Sequence, residues 1–137
     1  MSYGTTQIAQ ISGVSAFAIK QARAETRLPA SLNEHQMTRD EVVALAIWAE
    51  LSRFIPNFHK VSRAAFEAAL VVSGCVLNSP SEWFALATIN ETDETPSIVF
   101  VHRDAVSIDL IPELRLIAIV SLAGVVFRVR DNFVKFN

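Results

Sequence analysis

Lys20, Gln21, Arg23 and Arg27 fall within eight residues of one another in the stretch TTQIAQISGVSAFAIKQARAE that runs from Thr5 to Glu25, and just beyond it. Glutamine offers the paired donor and acceptor that match an adenine edge. Lysine donates to the acceptors of guanine. These side chains do such chemistry only from a narrow element that fits the major groove, and a short helix does that. The spacing predicts one: Ala16, Lys20, Gln21 and Arg23 fall on the polar side of a helix. Phe17 (or Ala18), Ile19 and Ala22 are expected on its apolar side.

Other groupings of reactive residues are poorer. His102-Arg103-Asp104 has the letters of a kinase catalytic loop. The chain is too short for a kinase, it has no glycine-rich phosphate loop, and Asp109 stands where that motif needs asparagine. A polar turn between strands is the expected role. His35, His59 and His102 are scattered, and Cys75 has no partner cysteine, so no familiar metal-site spacing arises. Asp104, Asp109 and Glu113 lack a neighbouring nucleophile pattern. No catalytic constellation, metal or cofactor is expected.

The elements needed to hold Lys20 and Gln21 are legible around them. Thr5 or Thr6 can cap a first helix that runs to about Ile11 and buries Ile8, Ala9 and Ile11. Ser12-Gly13-Val14-Ser15 predicts the turn, with Gly13 free to take positive φ, Val14 as a core plug and Ser15 capping the second helix. Leu28-Pro29 is expected to end that helix. Thr38 and Glu41 form a capping box for a long helix to about Phe54, stopped by Pro56. Another helix is expected over about Phe58 to Ser73, with Gly74 as its cap. Beyond Ser79-Pro80 the texture turns strand-like: Trp83 to Ile89, Ser97 to His102, Val106 to Leu110, Leu114 to Leu122 and Val125 to Phe136. Ala123-Gly124 is expected as a tight turn, and Phe127-Arg128-Val129-Arg130 alternates like a half-exposed strand. Phe133 and Phe136 are candidates for packing on a neighbouring subunit.

The first 54 residues resemble the DNA-binding domain of the MerR-type winged helix-turn-helix group. The likeness rests on a helix-turn-helix almost at the N-terminus, on Ile8-Ala9, Gly13-Val14-Ser15 and Ile19, and on Arg27-Leu28-Pro29 leading through a short polar wing into Met37-Thr38-Arg39-Asp40-Glu41-Val42. The wing lacks that group's aromatic-and-arginine signature, and no long dimerisation coiled coil follows Phe54. LacI-type and Cro-like repressors open with similar patterns, and excisionases share the small winged fold. The resemblance implies that Ser15, Ala16, Lys20 and Gln21 face base edges. It implies that Thr6, Arg23 and Arg27 touch phosphates, joined by Asn33, His35 or Arg39 from the wing region.

Composition is compatible with this. Of 137 residues, 51% are hydrophobic, and the mean hydropathy is +0.33. A chain this small with so much apolar surface is expected to pair as a homodimer or higher oligomer. Net charge is −2. Residues 1–63 carry seven Lys/Arg and five acids, a balance of +2, and residues 64–137 carry five and nine, a balance of −4. The basic half coincides with the helix-turn-helix. There is no leader-like N-terminus and no apolar run long enough for a membrane span, and one cysteine suits a reducing compartment, so a cytoplasmic location is expected.

The expected fold class is therefore α+β: an N-terminal winged helix-turn-helix over residues 1–56, linking helices, and a C-terminal antiparallel β meander. Residues 57–137 would form an oligomerisation or regulatory domain. The expected function is sequence-specific binding of double-stranded operator DNA by a transcriptional regulator, a repressor or a phage- or plasmid-type control protein. The alternative is a protein-interaction or small-ligand-binding module without DNA affinity.

Overall fold

A computed structural model describes residues 2–105 and 114–136. The chain is α+β, with five α-helices and two small antiparallel sheets among the described residues. Strand β1 (Ser2–Gly4) leads directly into helix α1 (Thr5–Ser12). Gly4, not Thr5 or Thr6, holds the cap position, and its N–H donates to Gln7 Oε1 at 3.2 Å. The chain then turns into helix α2 (Ala16–Ala24). That helix stops four residues before the expected Leu28-Pro29. Thr26 takes a left-handed φ of 59°, and the Arg27 N–H folds back onto the Ala22 carbonyl at 2.8 Å.

Strand β2 (Gln36–Thr38) pairs antiparallel with β1, with Tyr3 opposite Met37. Both side chains are buried. Sequence patterning does not reveal β1, because three residues are too few to show an alternation. Helix α3 (Arg39–Phe54) opens on the expected capping box: Glu41 N–H donates to Thr38 Oγ1, and Thr38 N–H to Glu41 Oε1. Its residues Val42 to Trp48 are all buried, so it is the central helix of the fold.

The helix expected at Phe58 to Ser73 is divided. Phe58–Lys60 is a 3-10 turn, and helix α4 runs from Ser62 to Asn78. Gly74 lies inside α4 and does not cap it. Buried Ser62 joins three segments. It accepts from Trp48 Nε1 at 2.7 Å and donates to the Arg27 carbonyl at 2.8 Å. The buried Ser62 hydroxyl and the Trp48 indole N–H thus both have partners, as burial requires.

Strands β3 (Trp83–Asn90), β4 (Pro96–His102) and β5 (Leu114–Ser121) form the second sheet in the order β4-β3-β5, antiparallel throughout. Ile117 is a bulge, because Ala87 pairs with Ala118 and Thr88 with Leu116. The inward face carries Ala85 and Ala87, flanked by Ile98, Phe100, Ala118 and Val120, and packs towards α3 and α4. On the outward face Leu86 lies between Val99 of β4 and Ile119 of β5. The strand expected over Val106 to Leu110 lies outside the described residues, as do Asp109 and Glu113.

The expected meander does not continue. Ala123-Gly124 is no hairpin turn, and Val125 to Phe136 is no strand: residues Ala123–Lys135 form helix α5. Its buried residues are Val125, Val126, Val129 and Phe133, spaced as one face of a helix. The alternation at Phe127-Arg128-Val129-Arg130 is a coincidence of four residues that Asp131-Asn132 breaks. Helix α5 packs on α1 and α3. Phe133 meets Tyr3 at 5.2 Å between ring centres, inside its own chain and not against a neighbouring subunit. Asn132 Nδ2 donates to the free carbonyls of Gln10 and Ile11 at the end of α1, both at 3.3 Å. One cluster of buried side chains extends from Tyr3 to Phe133.

Candidate nucleic-acid interface

The turn between α1 and α2 is built as its residue types dictate. Gly13 sits at φ 78°, a conformation glycine adopts without steric cost, and its N–H bonds the Ala9 carbonyl at 2.9 Å. Buried Ser12 locks the bend from both sides. Its Oγ donates to the Ile8 carbonyl at 2.6 Å and accepts from Val14 N–H at 3.1 Å. Val14 is buried as the plug between the helices. Ser15 caps α2, its Oγ accepting from Ala18 N–H at 3.1 Å.

Ile19 and Ala22 then face inward and fix the rotation of α2. Phe17, Lys20, Gln21 and Ala24 form the opposite, exposed stripe at i, i+3, i+4 and i+7. Of the two alternatives for the apolar face of α2, Ala18 packs inward with Ile19 and Ala22, and Phe17 is 75% exposed. The helical phase contains the answer: Phe17 is two residues, about 200°, from buried Ile19. Lys20 makes no ion pair among the described residues, and Gln21 Nε2 donates to Glu25 Oε1 at 3.2 Å. Ala16 is half-buried.

No protein family matches the sequence, and no curated protein matches it.

Arg23, for which the resemblance implies a phosphate contact, is engaged within its own chain. Its guanidinium pairs with Glu34 and donates from Nη2 to the Ala30 carbonyl at 2.6 Å. It thereby ties α2 to the loop that leads into β2. Burial pushes the Glu34 carboxyl up. Its own backbone N–H, the Arg23 hydrogen bond and the charges of Arg23 and His35 together outweigh that and hold it below the ordinary value of 4.5. Arg27 lies 2.9 Å from Glu25. Both arginines are thus partly neutralised within the chain.

The loop before β2 is also pinned to α1. His35 Nδ1 lies 3.1 Å from Thr5 Oγ1, and Asn33 Oδ1 accepts from the His35 N–H at 2.8 Å. Thr6, Asn33 and His35 are exposed beside this junction. Arg39 stands apart from them, stacked over the Phe133 ring at 5.2 Å. The structure thus joins Asn33, His35 and Arg23 around one loop, leaves Thr6 exposed next to Thr5, places Lys20 and Gln21 on the open face of α2, and engages Arg39 with α5.

Two cations that sequence spacing does not associate with the motif lie close to it. Arg53 of α3 and Arg128 of α5 line a shallow cleft of about 370 Å³ beside Ser12 and Gly13. Only the packing of α5 onto α1 brings Arg128 there.

Away from α2, His102 Nε2 lies 2.8 Å from Glu82 Oε2, and Arg103 Nη2 lies 3.5 Å from Glu82 Oε1. The His102 hydrogen bond, with the Arg103 charge, holds the Glu82 carboxyl low against the opposing effect of burial. This group clamps the start of β3 to the end of β4. Among the described residues, no group of three His, Cys, Asp or Glu could hold a metal, and no helix is long and apolar enough to cross a membrane.

Proposed function

We propose that the protein is a sequence-specific DNA-binding regulator whose residues 1–54 act as a winged helix-turn-helix. Helix α2 is the recognition helix. The observation that carries this is the construction of the α1–α2 turn together with the open stripe of α2. Gly13, Ser12, Val14 and Ser15 hold two short helices at a fixed angle, and Lys20 and Gln21 project from the side that the core leaves free. Pairing of β1 with β2, and the latch of Arg23 on Glu34, support a small wing hinged to both helices. In this proposal Lys20 and Gln21 contact base edges, and Ser15 and Ala16 lie at the entry of the helix into the groove. Thr6, Asn33 and His35 reach phosphates. Arg23 and Arg27 position the wing more than they touch the backbone, because their charges are already paired.

The protein acts on double-stranded operator DNA as a homodimer or higher oligomer. The outward face of the β4-β3-β5 sheet supports that part: Val99 and Ile119 are 51% and 58% exposed, side by side with Leu86. The same face favours a second reading, a protein-interaction module, if DNA is not bound.

The test is binding to the DNA immediately upstream of the protein's own gene, at two salt concentrations and against random competitor. Tight, competitor-resistant, salt-sensitive binding is expected. Lys20→Ala with Gln21→Ala should weaken it at least about tenfold, since each base contact contributes about 1–3 kcal/mol. Equal affinity of this double variant overturns the assignment of α2. No binding by the unaltered protein, even at low salt, favours the interaction module.

A further inference from the structure

We infer that Phe17 reads thymine, by packing its ring on the C5-methyl group in the major groove. This rests on the assignment of α2 as the recognition helix. Three phenylalanines are strongly exposed among the described residues: Phe17, Phe54 and Phe127. Two of them are covered by a neighbouring guanidinium of their own chain, Phe54 by Arg53 at 5.9 Å and Phe127 by Arg130 at 5.8 Å. Phe17 has neither a cationic nor an aromatic partner among the described residues, and it is the most exposed of the three.

A single exposed apolar side chain is ordinary on a protein surface. The surroundings of Phe17 distinguish it. Lys20 and Gln21 stand at i+3 and i+4 on the same stripe, within reach of whatever Phe17 touches. An apolar protein groove would meet a lysine and a glutamine beside the ring and have to desolvate both. A major groove presents the required mixture: acceptors and donors on the purine edges, and one apolar group, the thymine methyl. Phe17 also lies in the first turn of α2, the end of a recognition helix that approaches base edges most closely. Nothing in the fold depends on the ring, so its removal leaves the structure intact.

The experiment starts from a library of duplexes with a randomised core, from which the full-length protein selects its preferred sequences. Each thymine of a selected duplex is then replaced in turn by uracil, which removes the methyl group and keeps the hydrogen-bonding edge. Affinities are measured for the unaltered protein, Phe17→Ala and Phe17→Leu. At one or more thymines the unaltered protein should lose about fourfold on removal of the methyl, the effect of one covered methyl-sized group. Phe17→Ala should bind the thymine duplex correspondingly more weakly and show a thymine-to-uracil ratio near one at that position. Phe17→Leu should recover part of the preference. Far-UV circular dichroism should be the same for all three proteins.

If duplexes are selected and the thymine-to-uracil ratio of Phe17→Ala equals that of the unaltered protein everywhere, the role of Phe17 is overturned and the recognition helix stands. If the library yields no enriched duplex, the recognition helix is overturned and Phe17 with it.

Discussion

Arg23 shows how one side chain can be diverted from the chemistry its type suggests. Its position near the end of α2 suits a phosphate contact, and its guanidinium is also engaged by Glu34 and the Ala30 carbonyl at the surface. The partner is eleven residues away across a turn, beyond any local periodicity, so spacing alone does not reveal the pair. The latch has a pH signature. Glu34 is held below 4.5 in the folded chain, so its contribution to stability is full above that value and is lost as pH falls through the lower folded value. Between about pH 5 and pH 3 the unaltered protein should therefore lose more stability than Glu34→Gln, which has no charge to lose there. At pH 7 the variant should be the less stable of the two. Urea-unfolding midpoints across that range measure both effects, and parallel curves would rule out the latch. Ser12, Gly13, Val14 and Ser15 behave differently. Their roles depend on neighbours within four residues, and each is legible from the sequence.

Among the elements, α5 is where local pattern and tertiary demand disagree. Val125, Val126, Phe127 and Val129 are β-branched or aromatic, and such residues favour strands when nothing else decides. Packing decides here: Val125, Val129 and Phe133 recur every four residues and cover the side of α1 and α3 that would otherwise be wet. A window of four residues reads the alternation, and a window of thirteen reads the helix. Helix α3 has no such ambiguity, because its capping box and long apolar stripe agree. The anchoring role of α5 predicts that Phe133→Ala lowers stability by about 3–5 kcal/mol, the usual loss for a buried ring. Its effect should spread to α1, seen as faster amide exchange at Ile8 and Ile11. Exchange unchanged in α1 would show that α5 does not support it. Strand β1 and the bulge at Ile117 are illegible for another reason: each is defined by its partner strand, and pairing is not written in either segment alone.

At the scale of the whole molecule, a basic helical half and an acidic half that contains the sheet share one core. The sheet turns Val99, Leu86 and Ile119 outward in a row, and no charged residue interrupts it. Burying such a face between two copies would account for the high hydropathy of a chain of 137 residues. Ile119→Lys is accordingly expected to shift the protein towards monomer, as read by sedimentation velocity, with unfolding little changed because the side chain is 58% exposed. An unchanged sedimentation coefficient would direct the search to another surface. The same architecture has a bearing on biosynthesis. Asn132 bonds to the Gln10 and Ile11 carbonyls across 122 and 121 residues of chain. A ribosome adding about 5–20 residues per second makes α1 wait roughly 6–24 s for that partner. During that interval α1 can pack on α2 and α3 but lacks the cover that α5 gives it. A chain cut short before residue 123 would lack α5 and with it the Asn132 bonds that close the end of α1.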